Sequence, residues 1–148
     1  MTDTDATTRV VAQGTFDILH PGHVHYLREA KAMGDELHVI IACARNVNHK
    51  PDPVVPGPQR VEMVEALDPV DHARLGDCED IFVPIEEIDP SVIVLGHDQH
   101  HEADEIRTEL AARNIDCEVT QGTERPRAFE GELSSTRRII QKVLDERA

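Results

Sequence analysis

Gly14-Thr15-Phe16-Asp17-Ile18-Leu19-His20-Pro21-Gly22-His23 is the stretch on which the reading of the whole chain turns. It follows an apolar run, Val10-Val11-Ala12, and leads into an amphipathic segment from Val24 to Met33. Small residues and two histidines therefore stand where a strand gives way to a helix. At such a junction the first-turn amides lack intrahelical partners and the helix dipole presents its positive end, an arrangement suited to an anion. Phosphate handling is the expectation that follows.

Working outward from that stretch, residues 9–12 read as a first strand and 22–33 as a first helix. In the helix Val24, Leu27, Ala30 and Lys31 follow helical spacing, and Gly34 supplies a stop. Residues 36–44 carry Leu37, Val39, Ile40 and Ile41, a nearly continuous apolar run typical of a strand covered on both faces. Residues 45–58 contain four prolines and are too rich in breakers for an element. A helix over 59–67, a short strand at 73–75 and a turn of helix within 78–88, interrupted by Pro84, come next. Residues 92–95 form a buried strand that ends on Gly96-His97-Asp98. Helical spacing resumes over 102–113, where Ile106, Leu110 and Ala111 share a face, and a short strand follows at 117–120. Beyond a charged loop at 121–131, Ser134-Ser135-Thr136 opens a last helix with Ile139, Ile140, Val143 and Leu144 on one side, the hydroxyls capping free amides.

Strands alternating with helices predict an α/β fold: a single-domain, doubly wound parallel sheet of about five strands, Rossmann-like in plan. Residues 1–8 read as a disordered acidic leader and 9–148 as one domain. Such sheets bind ligands beyond the carboxyl ends of their strands, where Thr15, Lys50 and Asp98 fall.

The 148 residues are enough for one compact core, and no apolar run approaches the roughly 20 residues that span a bilayer. The polar, acidic start does not read as a signal peptide, so the expectation is a soluble, cytoplasmic protein without a membrane partner. Cys43, Cys78 and Cys117 are odd in number and form no CxxC pair, which argues against a disulfide framework or a structural zinc site. The formal charge of −14 argues against nucleic acid as partner, because backbone phosphates need a basic face. Only Lys31, Lys50 and Lys142 are lysines. So acidic a surface repels itself in dilute buffer and is relieved by molar salt, which points to a salt-loving host.

Gly-Thr-Phe-Asp-x-x-His-x-Gly-His at 14–23, with Ser134-Ser135-Thr136-Arg137 near the end, resembles the HxGH nucleotidyltransferase superfamily in its cytidylyltransferase-like branch. The likeness covers residues 9–145. Ile18 to His23, Leu95-Gly96-x-Asp98-Gln99 and the short length are most similar to the archaeal FAD synthase family, which joins FMN to the AMP moiety of ATP. The resemblance implies that His20 and His23 bind the nucleotide phosphates and stabilise charge as the α-phosphorus is attacked. It implies a phosphate-binding role for Lys50, triphosphate contacts from Ser135, Thr136 and Arg137, and a nucleotide contact from Asp98. Arg127-Ala128-Phe129-Glu130-Gly131 approximates the family's Arg-x-Glu-Gly element with one extra residue, and Arg127 joins the nucleotide-binding set on that ground.

The residue types themselves supply reasons. Gly14 lets backbone approach a phosphate, the Thr15 hydroxyl and the Phe16 amide can donate to it, and Pro21 and Gly22 bring the two histidines to one group. Asp17 fixes the turn, and Arg60 reads as structural. His97, His100 and His101 beside Asp98 and Glu102 read as a surface loop, since a transition-metal site would call for cysteine or regular helical spacing.

A phosphate monoester has its second pKa near about 6, so the FMN phosphate attacks as a dianion without a strong general base. Positioning and charge neutralisation are then the main tasks. The expected substrates are ATP and FMN with a divalent metal, Mg²⁺, whose protein ligands are left unassigned. Related folds often pair, which places a homodimer among the expectations. Two other readings stand beside this one. A CTP-dependent glycerol-3-phosphate cytidylyltransferase suits a chain whose Phe and Tyr rings are limited to Phe16, Tyr26, Phe82 and Phe129. A non-catalytic nucleotide-binding sensor would use the same scaffold.

Overall fold

The computed structural model describes residues 6–44, 52–99 and 102–147. Along the chain come β1 (Arg9–Gly14), α1 (Pro21–Lys31), β2 (Glu36–Ile41), α2 (Gly57–Glu65), β3 (His72–Leu75), α3 (Val83–Ile88), β4 (Val92–Leu95), α4 (Ala103–Ala112), β5 (Glu118–Gln121) and α5 (Thr136–Arg147). All neighbouring strands run parallel, in the order β3-β2-β1-β4-β5. The chain steps outward from β1 to β2 and β3, then crosses back to lay β4 on the other side of β1. That reversal sets a topological switch point at the carboxyl ends of β1 and β4, where sheets of this kind form the crevice that holds ligands.

Two cores enclose the sheet. Val10, Ala12, Leu37, Val39, Ile41 and Val94 point to one face and bury Leu27 and Ala30 of α1 and Val64 of α2. Val11, Ile93, Leu95 and Val119 point to the other and bury Ile85 and Ile88 of α3 with Ala103 and Leu110 of α4. The inward face of α4 thus runs through Ala103, Ile106 and Leu110, and Ala111 is exposed. On β2 only Ile40 joins the second core. His38, on the same side, is half-buried beside a cavity, so β2 is covered on both faces only toward its carboxyl end.

Two expectations are corrected by the tertiary structure. Gly34 does not end α1 through a left-handed cap; the helix closes on Ala32 in ordinary helical geometry. Glycine is needed there because an added Cβ would lie 2.7 Å from Val10 Cγ2 and 2.8 Å from the Thr8 carbonyl oxygen, so β1 passes too close for a side chain. Thr8 is itself tied to Asp35, donating its amide to the carboxylate at 2.8 Å; residues 1–5 of the leader lie outside the described residues. Cys43 and Cys78 form a disulfide with Cα atoms 5.4 Å apart. Ile41 is in register with Leu75, and the Gly76 amide donates to the Ile41 carbonyl at 2.8 Å, so the segments leaving β2 and β3 travel side by side. A sequence separation of 35 hides that adjacency.

Candidate active site

At the mouth of the crevice, β1 passes through Thr15–Leu19 into α1, whose N-cap is His20 in extended conformation. Pro21 brings no amide. The Gly22 amide donates to His20 Nδ1 at 3.1 Å, and the His23 amide donates to the His20 carbonyl at 3.0 Å. In return the His20 amide donates to His23 Nδ1 at 3.3 Å. The two imidazoles thus play the parts that Ser and Glu play in a capping box. The expectation of bare first-turn amides is corrected here, because the His20 ring takes the Gly22 amide and the His20 carbonyl takes the His23 amide.

This cap has a chemical consequence. A neutral imidazole that accepts on Nδ1 carries its proton on Nε2, so both rings hold the tautomer that donates from Nε2. The rings stack with centroids 3.7 Å apart at the start of α1. Burial pushes the His20 pKa below its ordinary value, keeping the ring neutral and the cap intact.

The residues before the cap set its height and angle. Phe16 is 2 % exposed and takes a left-handed φ of 51°, turning its ring down into the core. That ring lies 5.2 Å from the His23 ring and stacks near Tyr26. A Cβ on Gly14 would sit 2.8 Å from Phe16 Cε2, so glycine at 14 makes room for this aromatic support. Tyr26 donates to the Val94 carbonyl and accepts the Gln13 amide, joining α1 to β1 and β4, and burial drives its phenol pKa up.

Asp17 accepts the amides of Val54 and Val55 at 2.9 and 2.8 Å. Arg60 is 2 % exposed and donates to the carbonyls of Val55, Thr15 and Ala42 at 2.9, 2.8 and 3.0 Å. One buried guanidinium therefore bolts the end of β1, the end of β2 and the approach to α2 together, using backbone oxygens rather than acidic neighbours on its helix.

The second motif reaches the same place from the far end of the chain. Thr136 donates its hydroxyl to the Ile18 carbonyl at 2.9 Å, and a Cβ on Gly22 would lie 3.2 Å from the Ser134 carbonyl oxygen. Ser135 caps α5 by accepting the Arg138 amide at 3.4 Å. The start of α5 is thereby fastened to the Ile18–Gly22 loop, with Arg137 exposed beside it. In the loop before α5, Arg125 makes a two-pronged pair with buried Glu132, at 2.9 and 2.8 Å, and Arg127 is exposed. Arg125 holds the Glu132 carboxyl below its ordinary range.

Asp98 stands on the exposed turn after β4, with Gly96 fixed by the Gln99 side chain at 2.8 Å. Its charge opposes ionisation of the Tyr26 phenol. Lys50, His100 and His101 lie outside the described residues. Sequence reading missed Tyr26, the Arg125–Glu132 pair and the clasp of Glu29 on Thr123, whose amide donates at 2.7 Å and ties α1 to the segment after β5. Gly122-Thr123 after a short strand was the only local sign of that turn.

A family model described as cytidylyltransferase-like matches residues 11–142. A protein named FAD synthase from Halomicrobium mukohataei is 68% identical over 142 residues, covering 96% of this chain and 99% of that one. One of the same name from Haloferax volcanii is 64% identical, covering 94% and 98%. Among solved structures, a lipopolysaccharide core biosynthesis protein from Thermoplasma volcanium superposes with a TM-score of 0.78 at 34% identity, over 82% of this chain and 100% of that one. A pantoate-beta-alanine ligase from Francisella tularensis, TM-score 0.62 at 15% identity over 95% and 71%, shares the fold. A two-histidine cap at the switch point of a five-stranded parallel sheet, in a chain matched almost end to end by these relatives, makes this protein a member of the cytidylyltransferase-like nucleotidyltransferase family.

Proposed function

We propose that the protein transfers the AMP moiety of ATP to FMN, giving FAD and pyrophosphate. The observation that carries this reading is the fastening of the His20–His23 cap to the Ser134–Arg137 segment through Thr136 and Ile18. It gathers two ring donors, a helix start and an arginine around one crevice. An oxygen of the FMN phosphate forms the new bond to the α-phosphorus of ATP as the bond to the β-phosphate oxygen breaks, and pyrophosphate leaves with that electron pair. His20 and His23 donate from Nε2 to the oxygens of the transferred group, whose charge is greatest in the transition state. Gly14, Thr15, Phe16, Pro21 and Gly22 position them. Arg137, Arg127 and Lys50 offset the triphosphate charge, Asp98 contacts the nucleoside, and Ser135 and Thr136 orient the second motif.

A divalent metal, Mg²⁺, would be held chiefly through the substrate phosphates rather than by a protein cage. Both Asp17 oxygens are taken by backbone amides, so this carboxylate is not part of a protein cage. When bound, the ion neutralises phosphate charge. Phe129, 60 % exposed in the loop before α5, offers a ring face for a flavin. We further assign residues 9–148 to one nucleotidyltransferase domain that works in the cytoplasm as a homodimer. Among the described residues no helix is long and apolar enough to cross a membrane.

Incubation with FMN and ATP, or with glycerol 3-phosphate and CTP, tests the assignment. Formation of FAD and pyrophosphate is expected; CDP-glycerol without FAD overturns it in favour of the cytidylyltransferase reading.

A further inference from the structure

At the opposite edge of the sheet, where β2 and β3 begin, Glu36, His38 and His72 converge. Glu36 and His38 are two apart on β2 and project from one face. His72 opens β3 in direct register with His38, so the parallel pairing sets the two imidazoles side by side with ring centroids 4.6 Å apart. Glu36 Oε1 lies 3.0 Å from His38 Nε2. No two of the three ligand atoms are more than 4.8 Å apart. A cavity of about 420 Å³ opens beside both histidines, bounded across from them by Glu87 and Asp89 at the end of α3.

We infer that Glu36, His38 and His72 form a binding site for a divalent first-row transition ion of the zinc type, clipping the short edge strand β3 to β2. Two imidazoles and one carboxylate are the donors such ions prefer, and the open cavity leaves room for a water to complete a tetrahedron. Ligands of a tetrahedral zinc at about 2.0–2.1 Å are about 3.4 Å apart, so closing from 4.8 Å asks for a shift of about 1.4 Å. His72 is exposed at the head of its strand and can make that shift by side-chain rotation. Arg9 opposes the ion, with Nε 3.7 Å from Glu36 Oε1. Both members of that pair are partly exposed to water at a separation of 3.7 Å, so the carboxylate gives it up at little cost. Arg74 is engaged by Glu87 and adds no free charge to the pocket. The site is remote from the crevice and does not depend on the proposed activity.

Co²⁺ titration of the chelator-treated full chain, followed by its visible ligand-field absorption, tests the inference. A band saturating at one equivalent and erased by Zn²⁺ is expected, with His72→Ala and His38→Asn each weakening binding about tenfold or more. Zn²⁺ at a hundredfold excess over its dissociation constant should raise the melting temperature by roughly 5–10 °C in the parent chain and not in the double variant. The exposed His72→Ala change serves as the folding control, melting with the parent in chelator. Absence of the band overturns the inference, as does a band that survives in the double variant.

Discussion

His23 accepts the His20 amide on Nδ1, and that single bond fixes the tautomer of the neutral ring that we propose donates to the phosphoryl group. Removing the ring should therefore affect the transferring phosphoryl group more than the fold. For His23→Ala we expect kcat to fall about 10²–10³-fold with a smaller change in KM, as for loss of one transition-state hydrogen-bond donor. Steady-state kinetics of FAD formation check this, and unchanged kcat would remove His23 from the mechanism. The two histidines were legible from their spacing around Pro21-Gly22. Their use as a helix cap was not, because Nδ1 finds its partner only once α1 has formed. The same applies to Gly14: its neighbour in sequence terms is a phosphate-binding turn, whereas the atom that forbids a side chain is Phe16 Cε2.

At the scale of elements, the crevice is held by ties between segments that carry no common motif. Arg60 collects three carbonyl oxygens from three segments. Arg60→Met keeps much of the volume and leaves those acceptors without a donor, so we expect a loss of about 3 kcal/mol. Urea unfolding should show a lower midpoint with an unchanged m value. The helices and strands themselves were readable within a few residues, since apolar periodicity and breakers act locally. The last helix is the partial exception. Its apolar stripe is present, yet α5 buries no residue fully, and Val143 and Leu144 are 53 % and 55 % exposed. Its position is set by the Thr136 bond at its first turn. The Cys43–Cys78 disulfide belongs to this scale as well, because strand order rather than cysteine spacing brings the partners together.

For the whole molecule, a formal charge of −14 makes salt a determinant of stability. Thermal melts should rise steadily from dilute buffer to molar KCl as the Debye length shrinks to about 3 Å. Equal melting temperatures at both extremes would refute self-repulsion as the governing term. At fixed high salt, acid should act in two stages. Burial lowers the His20 pKa, so the unfolded chain takes up that proton first and stability begins to fall as pH drops through the ordinary value of 6.5. Glu132, held down by Arg125, and Asp80, held down by Arg113, contribute stability that is complete above their ordinary values of 4.5 and 3.8. It is lost as pH falls through their lowered values. Melting temperature measured across this range should show both declines, and a flat course until the carboxylate range would mean that His20 is not buried neutral.

Local physics therefore settled much from the chain alone. The strand-helix alternation, the histidine pair at a strand-to-helix junction and the acidic surface all depend on residues close in sequence or on simple sums over it. The tertiary structure alone decided the tautomer of the histidines, the reach of Arg60, the meeting of Cys43 with Cys78 and the joining of Thr136 to Ile18, 118 residues apart. Each depends on which strands lie side by side, and strand order in a parallel sheet comes from packing two cores at once.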